Sequence, residues 1–195
     1  MKDIQEKLKG RREAAHRELL DMLDRTAYEK FVDDYRDFVE TSGAGVVGEP
    51  ERVRDSAAGR VWRAYERLRS HDASLPYADA AALHQLRIDA KRARYTLEFF
   101  REVLPVATDS LIAELTAQQD HLGLFNDAQV AATMTREWLL ASAASVSTET
   151  RRAAGAYLTA SEREQTRLRR SFTRLWRRVV GQAFRRRLAL AVSEI

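Results

Sequence analysis

Three prolines and eight glycines are all that interrupt 195 residues, and one of those prolines falls with three of those glycines in a single segment, TSGAGVVGEP at 41–50. Proline and glycine stop regular structure most firmly, so a chain this poor in them folds into long elements. Those elements are helices. Apolar side chains recur at three- and four-residue spacing in each long stretch, and none alternates with period two between turn signals as a half-buried strand would. The expectation is an all-α helical bundle of about six long helices.

Leu19, Leu20, Leu23, Ala27, Phe31, Tyr35 and Phe38 place one long helix over residues 1–40, with a loop at 41–50. Val53, Ala57, Val61, Ala64, Tyr65 and Leu68 mark a second, ending near Arg69 ahead of HDASLPY. A third runs from Asp79 to Leu104 and is stopped by Pro105. Asp109 or Ser110 opens a fourth, which Gly123 closes as a left-handed C-cap, and Asn126 or Asp127 caps a fifth through Val130, Met134, Trp138 and Leu139. The last begins at Ser147 or Thr148, carries Ala154, Leu168, Phe172, Trp176 and Val179, and bends or breaks at Gly181.

Apolar residues make up 45% of the chain and charged residues 32%, which suits one folded domain over 1–195 rather than a disordered chain. Zero cysteines exclude disulfides and thiolate metal sites, and the four scattered histidines show no two-histidine metal spacing. No Gly-rich phosphate loop or nucleophile motif is present, so no enzyme, metal or cofactor is expected. The N-terminal MKDIQEKLKGRREAAHREL lacks the apolar core of a signal peptide, and no run reaches the ~18 apolar residues of a membrane span. A cytoplasmic protein without a membrane partner is expected.

Net charge is only +4. The sequence pI near 9.6 nonetheless conceals an asymmetry, because Arg163, Arg167, Arg169, Arg170, Arg174, Arg177, Arg178 and Arg185 to Arg187 crowd the C-terminus. Such a cluster points to a polyanionic partner such as nucleic acid, anionic lipid or polyphosphate; it also describes a solvated arginine-rich helix face.

The sharper feature lies in the third helix. His84, Arg87, Lys91 and Arg94 recur at intervals of three, four and three, a single helical stripe about 15 Å long with neighbours ~5–6 Å apart. Leu83, Leu86, Ala90, Ala93, Leu97, Phe100 and Leu104 flank it on one side, Ile88, Tyr95 and Phe99 on the other. Cations between two apolar faces belong in a groove between helices, where an extended, repeatedly charged anion fits better than a single carboxylate. Arg92 falls on the polar arc with Gln85, Asp89 and Thr96, as a rim contact, while Tyr95 sits at the groove's edge. The competing reading pairs the stripe with acids of other helices such as Asp120 or Asp127.

These residues resemble a family. HQLRIDAKRARYTLEFF at 84–100 is similar to the H-x-x-R-x-x-x-K-R-x-R-Y-x-x-E-F-F signature of the CHAD family, the conserved histidine α-helical domain. LTAQQDHLGLFNDAQVA at 115–131 resembles its second motif, with Gln119, Leu122, Gly123, Asn126 and Asp127 in register and Gln118 where the pattern has leucine. The resemblance implies an all-helical fold of two pseudo-symmetric halves around a basic channel that binds inorganic polyphosphate without catalysis, in association with polyphosphate granules. It implies further that residues 51–195 are the second half and 1–40 the last helix of a first half whose preceding helices are missing. His84, Arg87, Lys91, Arg92, Arg94 and Tyr95 match the binding positions, and Gln119, Asn126 and Asp127 the supporting ones. We read Asp127 as an N-cap or a clamp on a stripe arginine, because a carboxylate would repel phosphate.

Two other partners remain open: nucleic acid on the same basic surface, and a second copy of the chain closing the channel as a homo-oligomer.

Overall fold

In the computed structural model, residues 2–41, 52–142 and 146–195 are described; among them there is no strand, and the all-α class is as expected. The chain divides into two compact units, residues 1–50 with 147–153 and residues 51–146 with 154–195. The loop expected at 41–50 lies outside the described residues except for Thr41.

The first unit holds α1 (Lys2–Leu23) and α2 (Thr26–Glu40), not the single helix expected over 1–40. Between them Arg25 is extended, with φ −80° and ψ 142°. Asp24 and Thr26 bracket this residue, and such short polar side chains favour non-helical backbone. The apolar spacing runs on across the break, so periodicity alone does not reveal it. Helix α2 buries none of its residues. Its Tyr28, Phe31, Tyr35 and Phe38 form an exposed ladder with successive ring centroids 6.4, 6.2 and 6.5 Å apart.

The second unit is built from α3 (Val53–Arg69), a 3-10 turn (Leu75–Tyr77), α4 (Ala80–Phe99), α5 (Thr108–Ala141), the part of α6 (Thr148–Val180) from Ala154 onward, and α7 (Gln182–Ser193). Helix α4 lies between α3 and α5 and packs on both. Its apolar face, Leu83, Leu86, Ala90, Ala93 and Leu97, is buried as the spacing requires. That face meets Val61, Tyr65 and Leu68 of α3, Leu111, Leu115 and Leu122 of α5, Phe172, Trp176 and Val179 of α6, and Phe184 and Leu188 of α7 in one core. Tyr65 stacks on Phe184 at 5.5 Å and donates its hydroxyl to the Val179 carbonyl at 3.2 Å. Burial, more than any neighbouring charge, pushes its phenol above the ordinary value. Trp176 Nε1 donates to Asp72 at 2.6 Å, tying α6 to the α3–α4 connection.

Element ends follow local chemistry. Asp79 caps α4 by accepting from the Ala82 amide at 2.8 Å, as expected for that start. The helix stops at Phe99 rather than Leu104, and the Val103 and Leu104 amides both turn back to the Phe100 carbonyl. Pro105 disfavours helical backbone at Leu104, so the chain leaves the helix a turn early. Phe100 and Leu104 still reach the core from the turn. At Gly181 the expected break occurs: a Cβ there would sit 2.7 Å from the Arg177 carbonyl oxygen.

Helix α5 departs most from expectation. It runs unbroken for 34 residues through Gly123, Asn126 and Asp127, so neither the C-cap nor the N-caps assigned there exist. Leu115, Gln118 and Leu122 before the glycine and Ala132, Thr135 and Trp138 after it are all buried, and this packing outweighs the ~1 kcal/mol that a helical glycine costs.

Candidate anion-binding site

The stripe of α4 borders its buried face on the side of α5. Arg94 is the best anchored member, its side chain only 18% exposed. Its Nε donates to Gln119 Oε1 of α5 at 3.0 Å, its Nη1 to Glu98 Oε1 one turn along at 2.9 Å, and its guanidinium lies 4.5 Å over the Tyr95 ring. Three contacts thus fix the plane of the fork. Arg87 is half-buried, and its Nε is fully enclosed with no hydrogen-bond partner. It shares a shallow hollow between α4 and α5 with His84, Asn126 and Gln129. Lys91, half-buried, and His84, exposed, make no ion pair among the described residues.

Of the sequence-assigned residues, the structure therefore gathers His84, Arg87 and Asn126, and joins Arg94 to Gln119 and Tyr95. It leaves Asp127 exposed in mid-helix, away from the assigned roles of N-cap and arginine clamp. The acids proposed as partners for the stripe, Asp120 and Asp127, do not pair with it; among the described residues the carboxylate that does, Glu98, comes from α4 itself. Gln129 was not among the expected residues, although it follows Asn126 by one helical turn and so shares its face.

The flanks of the stripe differ from each other. Its inner flank is packed, whereas Tyr95 and Phe99 on the outer flank are 50% and 76% exposed. The two apolar faces read from the helical wheel are thus one core face and one open face. Asp89, placed on the polar arc by its spacing, is instead buried, accepting from His71 Nε2 at 2.9 Å and Gln85 Nε2 at 3.3 Å. Arg92 does lie outside the stripe, at 3.9 Å from Asp89 and in the groove between α3 and α4.

The C-terminal arginines divide in two. Arg169 donates to the Pro76 and Ala78 carbonyls, Arg187 to Glu114 at 2.6 Å, and Arg185 approaches Glu66 at 3.7 Å, all of which brace the bundle. Arg167 pairs with Glu164 on the surface of α6, and its hydrogen bonds hold that carboxyl below the usual range. Arg163, Arg170, Arg174, Arg177 and Arg178 form the solvated face.

Among the described residues no three histidines or carboxylates are gathered as metal ligands, and no helix is long and apolar enough to cross a membrane. A family model described as CHAD domain matches residues 1–136. A search of curated proteins found no match.

Proposed function

We propose that this chain, which belongs to the CHAD domain family, binds inorganic polyphosphate without catalysis along the cationic stripe of α4. The observation that carries the reading is Arg87, whose enclosed Nε has no hydrogen-bond partner, one turn from Lys91, which makes no ion pair among the described residues. A buried polar group without a hydrogen bond costs about 1–3 kcal/mol, and an outward swing of the half-buried Arg87 side chain lets a phosphate oxygen supply the missing acceptor.

Each residue then has a distinct part. Arg94, held by Gln119 and Glu98, presents a pre-oriented fork, Arg87 a second fork, Lys91 a mobile point charge and His84 one further donor at the open end. Asn126 contributes an amide donor from α5, and Arg92 and Tyr95 lie on the outer side of the stripe. Asp127 stays out of the ligand path, since its charge opposes phosphate. The array serves as one wall of a basic channel. A polyphosphate ligand would suit a location in the cytoplasm, at polyphosphate granules.

Titration with polyphosphates of defined length tests the proposal. Affinity rises with chain length, and its logarithm falls linearly with the logarithm of salt concentration, as for other polyanions. Arg87→Ala and Arg94→Ala each weaken binding roughly tenfold or more, the loss of a charge-assisted hydrogen bond. Equal affinity for short and long chains, or a double variant that binds like the parent, would overturn it. Phosphate release in Mg²⁺ or Mn²⁺ would overturn the non-catalytic part.

A further inference from the structure

A groove of about 1110 Å³ lies not beside the stripe but on the other flank of α4, between α3 and α4. One wall carries Arg60, Arg63 and Arg67, spaced three and four residues apart along two turns of α3. None of the three makes an ion pair among the described residues. The other wall carries Arg92, Tyr95 and Phe99. Phe99 is 76% exposed, its ring perpendicular to that of buried Phe100 at a centroid distance of 4.9 Å. Tyr95, one helical turn earlier, has its ring half exposed.

Unpaired cations along one wall and aromatic rings one turn apart along the other ask for a ligand with both repeating negative charge and flat apolar surfaces. A bare phosphate chain leaves the rings unused. A duplex keeps its bases stacked inside, beyond the reach of such rings, whereas a single strand can splay them. An open groove suits a strand passing through better than an enclosed nucleotide. We infer that the α3–α4 groove binds single-stranded nucleic acid, with Arg60, Arg63 and Arg67 tracking phosphates and Phe99 and Tyr95 stacking bases. This site is separate from the α4–α5 side of the stripe and does not depend on polyphosphate being bound there.

Fluorescence anisotropy of a labelled single-stranded RNA of about ten nucleotides, within the usual range of such sites, tests it on the full chain. Phe99 is the discriminating position, because it is exposed and has no part in the polyphosphate set. Phe99→Ala weakens RNA binding roughly 5- to 150-fold, the loss of one stacked base, while polyphosphate affinity stays unchanged and circular dichroism confirms the fold. Phe99→Trp retains RNA binding. An abasic strand with the same number of phosphates binds the parent protein at least as weakly as RNA binds the Phe99→Ala protein, because it forfeits the Tyr95 stack as well. The inference is overturned if RNA does not bind, if the abasic strand binds as well as RNA, or if Phe99→Ala leaves RNA affinity unchanged. Failure of polyphosphate to bind would leave these outcomes intact, so the two proposals fail separately.

Discussion

Gln118 is fully enclosed in the middle of α5, and neither atom of its amide has a hydrogen-bond partner. The CHAD pattern has leucine in this place, and the surroundings explain why an apolar side chain suits it: Leu115 and Leu122 lie on the same helical face, both buried in the core. Gln118→Leu is nearly volume-conserving and removes an amide that the interior leaves unpaired. We expect it to stabilise the protein by about 1–3 kcal/mol, read as a higher midpoint in urea unfolding with an unchanged slope. A lower midpoint would mean that the amide is satisfied in solution. Single residues also mark where sequence reading stops. The three-residue step from Asn126 to Gln129 is visible in the sequence, whereas the pairing of His71 with Asp89 joins residues 18 apart across a turn and a helix start. No spacing rule reaches that far.

At the scale of elements, apolar faces and some helix ends were legible, and other starts and breaks were not: α5 opens at Thr108, ahead of the Asp109 or Ser110 expected to start it, with no side-chain cap. Asp79, Ser147 and Gly181 act where their chemistry says they should, because a cap or a forbidden Cβ is decided by the nearest few residues. Gly123, Asn126 and Asp127 carry equally good local signals for a turn, and α5 ignores them because its buried face runs on to both sides. A substitution separates the two cases. A Cβ at Gly123 would meet nothing within 4 Å and the backbone is helical, so Gly123→Ala stabilises by about 0.5–1 kcal/mol in thermal unfolding. Had the glycine been a left-handed cap, the same change would destabilise. The reverse error, at Asp24 and Arg25, has the same origin: an apolar period that continues through a break hides it.

For the whole molecule, the family match ends at residue 136, but the core does not. Phe172, Trp176 and Val179 of α6 and Phe184 and Leu188 of α7 are buried against α3, α4 and α5. Phe or Trp truncated in such a position costs about 3–5 kcal/mol each, comparable with the entire stability of many domains. A fragment comprising residues 1–136 is therefore expected to show no cooperative unfolding transition by circular dichroism or calorimetry. A sharp transition near that of the full chain would show that α6 and α7 are dispensable. The C-terminal arginines belong to the same scale. By composition they are a uniform basic cluster, and in the fold Arg169, Arg185 and Arg187 brace the bundle while their neighbours face solvent.

What the sequence by itself determined is whatever depends on neighbours within about two turns: the helical class, the buried face of α4, and the alignment of His84, Arg87, Lys91 and Arg94 on one stripe. Backbone periodicity dictates these, whatever packs around them. The tertiary structure alone decided which side of that stripe is covered. It set Arg94 against Gln119, enclosed the Nε of Arg87 without a hydrogen-bond partner, buried Asp89, and opened a groove of arginines and aromatics on the α3 side. Those outcomes turn on which helix lies against which, through contacts between residues far apart in the chain that no local period encodes.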